Sequence, residues 1–81
     1  MNFGQAIEAL KQGKKVARKG WNSKSIYLEM QKPDEHSKMT LPYIYTVTNI
    51  LVSDNPRAIR GVVPWLASQT DMLCEDWYIV E

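Results

Sequence analysis

Apolar residues follow a helical period once in this chain and alternate elsewhere. Phe3, Ala6, Ile7 and Leu10 fall at i, i+3, i+4 and i+7, which is one face of a helix. Asn2 and Gln5 stand at capping-box spacing ahead of that face, and Gly13 is a natural stop. Lys11, Lys14 and Lys15 sit at the negative end of the helix dipole. The pattern predicts a helix over Phe3–Gln12.

From Lys14 the period drops to two. Val16 and Arg18 share one side of a short strand Lys14–Lys19, Ala17 and Lys19 the other, and Gly20 interrupts it. Ser25–Gln31 reads as a second strand, with Ile26, Leu28 and Met30 inward and Tyr27 and Glu29 outward. Gly20–Ser23 between them is a tight turn that carries a tryptophan, Trp21. The polar stretch Gln31–Thr40, with Pro33, is a loop. Tyr43–Leu51 is rich in β-branched and aromatic residues and predicts a strand, and Ser53–Arg60, with Asn55-Pro56, predicts a turn. Gly61–Trp65 is a strand in which Pro64, lacking an N–H, must lie at an edge or bulge. Ser68 caps a short helix with Asp71 three residues on, and Trp77–Val80 closes the sheet. The expected fold class is α+β: one domain over 1–81, a small antiparallel β-sheet with the N-terminal helix packed on it and a short helix near the C-terminus.

Composition narrows the picture. Eighty-one residues carry three Trp, four Tyr and one Phe, a heavy aromatic load for so small a core. Either some aromatics are half exposed at a site or subunits cover them, and both readings favour a homo-oligomer. One cysteine excludes an intramolecular disulfide, and no apolar run approaches a membrane span or a signal peptide. Charge is uneven: residues 1–40 hold eight Lys/Arg against four Asp/Glu, and residues 41–81 hold two against five. That balance is too weak for duplex nucleic acid, where a basic domain with clustered cations is expected.

The candidate chemistry is binding chemistry. Trp21 follows Arg18, Lys19 and Gly20, so it is either a stacking plate beside cations or a turn aromatic packed on the sheet. Trp65 and Trp77 bracket a run of hydroxyl, amide and carboxylate groups, Ser68, Gln69, Thr70 and Asp71. Ser68 and Asp71 can satisfy the orphan N–H groups of the helix start and still leave lone pairs. Asp71 already places a carboxylate there, so a ligand's phosphates should avoid this turn and its hydroxyls or amines suit it. Phosphates would go to Arg18, Lys19 or an arginine of a neighbouring subunit, with Arg57 and Arg60 as candidates. A Cys74–His36 dyad lacks a third orienting group, and Cys74 reads as a small core residue. One His and one Cys cannot supply a three-ligand metal site, so no metal, cofactor or catalytic set is expected.

The segments Ala17-Arg18-Lys19-Gly20-Trp21-Asn22 and Pro64–Trp77, PWLASQTDMLCEDW, resemble the Thoeris anti-defence type 2 family of small phage proteins. The likeness runs from the first helix through Tyr27 and from Val62 to Glu81. It implies a non-enzymatic sponge, assembled as a homotetramer in the cytoplasm of the infected bacterial host. Such a sponge holds a cyclic ADP-ribose isomer made by TIR-domain enzymes, and in some members cyclic oligonucleotides at separate sites. By motif match, Arg18, Trp21 and Asn22 are pocket residues, facing Trp65 and the turn Ser68, Gln69, Thr70 and Asp71. The competing readings are a module that docks a host protein through the Tyr43–Leu51 strand, and a hydrolase of cyclic nucleotides.

Overall fold

The computed structural model describes residues 1–21, 26–48 and 61–80. Helix α1 spans Phe3–Lys11 and opens with the expected reciprocal cap: the Gln5 amide donates to Asn2 Oδ1 at 2.8 Å, and the Asn2 amide to Gln5 Oε1 at 2.9 Å. Gln12 is its C-cap, and Gly13, with φ +86°, turns the chain out through the left-handed region that favours glycine. The strands are β1 (Lys15–Arg18), β2 (Ile26–Gln31), β3 (Tyr43–Thr48), β4 (Gly61–Pro64) and β5 (Trp77–Val80), with a one-turn helix α2 (Gln69–Leu73) between the last two. The predicted α+β class is what the chain adopts. The outer residues of the Ser25–Gln31 and Tyr43–Leu51 predictions, and the turn Ser53–Arg60 with Arg57 and Arg60, lie outside the described residues.

All strands pair antiparallel in the order β4-β3-β2-β1-β5. The first and last strands of the sequence are therefore neighbours, in the register Lys15 to Val80 and Arg18 to Trp77. Strand β3 lies inside the sheet, paired with β2 along Tyr43–Thr48 and with β4 along Tyr45–Thr48, so Tyr45–Thr48 cannot accept a further strand. The idea of partner docking by strand addition there fails for this reason. Pro64 sits on edge strand β4 as its missing N–H requires.

Pleating sends alternate residues to opposite faces. On one face, α1 buries Ala6, Ala9 and Leu10 against Val16, Leu28 and Trp77, with Met30 and Ile44 at the margin. Fully burying side chains such as Leu10 and Leu28 stabilises by about 1.5–3 kcal/mol each. The other face carries Tyr27, Tyr43, Tyr45 and Tyr78, the outward partners in the β2–β3 and β1–β5 registers. No described helix covers it. It holds a shallow depression of about 430 Å³ lined by Tyr27, Tyr43, Tyr45, Val47, Val62 and Pro64. Tyr45 donates to Glu29, and this bond pushes the phenol up to about 12. Lys15 reaches the same Glu29 at 3.9 Å and lies 4.9 Å over the Tyr27 ring.

Candidate functional site

Local sequence sets the corner where β1 ends. Ser68 accepts from the Asp71 amide at 3.1 Å, and the Ser68 amide donates to Asp71 Oδ2 at 3.2 Å. This second capping box starts α2, a helix of five residues with none buried, too short to hold itself together by propensity. Its anchors are long-range. Trp77 Nε1 donates to the Asp71 carbonyl at 2.9 Å, so the buried indole's one polar atom is met by the helix it supports. Arg18 Nη1 donates to Asp71 Oδ1 at 2.7 Å, tying α2 to the end of β1.

Arg18 is the hub of the corner. Its Nε donates to Asp76 Oδ1 at 2.9 Å, its Nη2 lies 3.0 Å from Cys74 Sγ, and its side chain is only 12% exposed. Asp76 Oδ2 accepts the Gly20 amide at 2.8 Å, which fixes the chain one residue before Trp21. Two carboxylates hold the guanidinium firmly protonated. Burial pushes the Asp71 carboxyl up, but hydrogen bonds from Arg18, Ser68 and Trp21 outweigh it and leave the group below its ordinary value. The Arg18 hydrogen bond holds Asp76 down as well, assisted by the Gly20 amide. Arg18, Asp71 and Asp76 set one cation against two anions, with the Met1 ammonium on the Trp77 carbonyl at 2.8 Å and exposed Lys19 beside them.

Three indoles meet here. Trp77 is in the core at 2% exposure, with Trp21 on it edge-on at 5.4 Å and Trp65 edge-on at 6.0 Å. Phe3 from α1 closes the cluster, 5.5 Å from Trp77 and 6.0 Å from Trp65. Trp21 is partly buried and its Nε1 lies 3.4 Å from Asp71 Oδ1, so one edge is anchored.

The residues singled out from the sequence thus fall together. Arg18, Trp21, Ser68 and Asp71 form one bonded group, Gln69 and Thr70 stand exposed on the first turn of α2, and Trp65 packs on the far side of Trp77. Asn22 lies outside the described residues. Two features differ from the sequence reading. Cys74 is half-buried against a guanidinium rather than an apolar core residue, because the chain leaves α2 at this point and directs Sγ toward Arg18. Asp76, which no spacing in the sequence singles out, lies beyond the helix end and is a principal partner of Arg18. Among the described residues no group of three His, Cys, Asp or Glu could hold a metal, and no helix is long and apolar enough to cross a membrane.

Fold and corner together define a small α+β domain that gathers charged, hydroxyl and indole groups at one end of its sheet. Residues 1–80 match the model of the Tad2-like family, described as a Thoeris anti-defense 2-like domain. The chain is also 36% identical over 89 aligned residues, covering 99% of it and 94% of its relative, to Thoeris anti-defense 2 of Bacillus phage SP01. The chain belongs to this family of phage anti-defence proteins.

Proposed function

We propose that this chain disarms the Thoeris defence by sequestration: an oligomer of it binds a cyclic ADP-ribose isomer and holds it without breaking a bond. The observation that carries the reading is the corner itself, where Trp21 stands at the Ser68–Asp71 turn. It is an aromatic surface beside acceptors, with Gln69 and Thr70 exposed next to it. A nucleotide's base and ribose hydroxyls match that chemistry, the base by stacking worth about 1–3 kcal/mol and the hydroxyls as donors to carboxylate and hydroxyl oxygens.

Magnitudes argue for more than one copy. Capturing a scarce signal requires a nanomolar dissociation constant, about −12 kcal/mol. A ligand of about 35 non-hydrogen atoms at about −0.3 kcal/mol each reaches only about −10, and one indole supplies a small part of that. The phosphates therefore need charge-assisted bonds in a largely dry pocket. Arg18 is held by two carboxylates, so the phosphates fall to exposed Lys19 and to cations supplied by a neighbouring copy. The tyrosine face, which no described helix covers, gives such copies a surface on which to pack.

The test is native mass spectrometry of the protein incubated with the cyclic ADP-ribose product of a TIR-domain enzyme, followed by heat release. The expected result is an oligomer carrying the product and returning it intact. Release of a hydrolysed nucleotide, or turnover of excess product by a trace of protein, would end this reading in favour of an enzyme.

A further inference from the structure

Gly20 has no room for a side chain. A Cβ built there would stand 2.9 Å from Asp76 Oδ2 and 3.1 Å from Arg18 Nη2, so an alanine must displace the ion pair or the backbone. The space is taken by a clamp with three grips. Asp76 Oδ1 takes Arg18 Nε at 2.9 Å, Asp76 Oδ2 takes the Gly20 amide at 2.8 Å, and the Lys19 amide donates to the Asp76 carbonyl at 3.1 Å. The next residue is Trp21, whose own amide donates to the Arg18 carbonyl at 3.2 Å. With Nε engaged by Asp76, Arg18 turns Nη1 to Asp71, and Asp71 Oδ1 in turn lies 3.4 Å from Trp21 Nε1. The Asp76 carboxylate thus holds the backbone before Trp21 directly, through the Gly20 amide, and the ring edge of Trp21 indirectly, through Arg18 and Asp71.

We infer that Asp76 is a positioning residue of the proposed pocket: it fixes the Trp21 indole against Asp71 and commits Arg18 to the protein instead of to a phosphate. The inference rests on that pocket being where a nucleotide binds. The Asp76 side chain is 30% exposed, and its bonds to Arg18 Nε and the Gly20 amide act on the backbone that leads into Trp21. Its effect is chiefly geometric. Losing it changes where Trp21 stands more than whether the chain folds.

The experiment labels the full chain with 5-fluorotryptophan and assigns its three resonances with Trp21→Phe and Trp65→Phe. Asp76→Ala should shift or broaden the Trp21 resonance, leave that of Trp65 in place, and weaken binding of the TIR-enzyme cyclic ADP-ribose product at least tenfold. Gly20→Ala should perturb the same resonance, and should add little once Asp76 is already alanine, because both substitutions break one contact. Should Asp76→Ala fail to fold, the isosteric Asp76→Asn takes its place with the same expectation. An unmoved Trp21 resonance, or a Gly20→Ala effect of equal size with and without Asp76, would overturn the inference. If the unsubstituted protein does not bind the product, the proposed function falls, and the resonance coupling still decides the clamp.

Discussion

Two tryptophans 5.4 Å apart differ in burial, and at the scale of single residues that difference gives opposite expectations. Trp77 is 2% exposed and touches Phe3, Trp21 and Trp65, so Trp77→Ala leaves a cavity at the centre of the core and should cost about 3–5 kcal/mol. Trp21 is half-buried at the margin. Trp21→Ala should lower stability less than that while weakening ligand binding by the worth of one stacked base, about 1–3 kcal/mol or roughly 5- to 150-fold. Chemical denaturation and calorimetric titration of the two variants separate these effects; binding retained after loss of Trp21 would place the ligand elsewhere. The aspartates give a pH dependence with a definite sign. Asp71 and Asp76 are both held below their ordinary value in the fold, whereas an unfolded aspartate titrates near about 3.9. The unfolded chain therefore binds more protons in this range, and stability rises with pH. Their contribution is complete above about 4 and is lost as pH falls through the depressed folded values. Melting temperatures followed into the acid range should show this loss, and a double Asp71→Asn, Asp76→Asn variant should show a shallower dependence there.

Elements differ in how plainly the sequence announces them. Helix α1 is legible because its signals are local: a capping box spanning three residues, an apolar face at helical spacing, and a glycine at its exit. The inward set Ile26, Leu28 and Met30 is equally legible, since period two assigns a strand's faces once its existence is granted. The polar corner was legible only in part. Ser68 and Asp71 are three apart and visible as a cap, whereas Arg18 and Asp76 are 58 residues apart and meet because β5 pairs with β1. No period in the chain encodes that pairing, and for the same reason Cys74 looked like an ordinary core thiol. Helix α2 follows from this division. Its start is local, but nothing in its five residues is buried, so its persistence depends on the cap and on the tie from Arg18. Ser68→Ala should cost about 1 kcal/mol of stability in urea denaturation, the ordinary worth of such a cap. A change below a few tenths would mean that Arg18 and Trp77 alone hold the helix.

At the scale of the whole molecule the two sheet faces divide the work, one closed by α1 and one covered by no described helix. An open antiparallel face is ordinary when it is polar. This one carries four tyrosines with Val47, Val62 and Pro64, and its fixed charges, Lys15 and Glu29, are already paired with each other. Among the described residues the charges of this face are balanced, so two copies meeting on its strands bring no like charges together there. Next to it Met39, Leu41, Pro42, Tyr43 and Pro64 line a further apolar hollow of about 490 Å³, which continues the patch. Val62 is 57% exposed on the edge strand and Tyr43 38% exposed, so charges at these two positions are tolerated by a lone subunit and not by a packed pair. Sedimentation velocity should therefore find an assembly for the unsubstituted chain and a monomer for Val62→Glu with Tyr43→Glu, its helical circular dichroism retained. If the cations that meet the ligand's phosphates come from a neighbour, that monomer should also lose affinity for the cyclic ADP-ribose product, although both substitutions lie on the sheet face opposite Trp21 and Asp71. Full affinity in a proven monomer would mean that one subunit suffices, and the tyrosine face would then need another occupant.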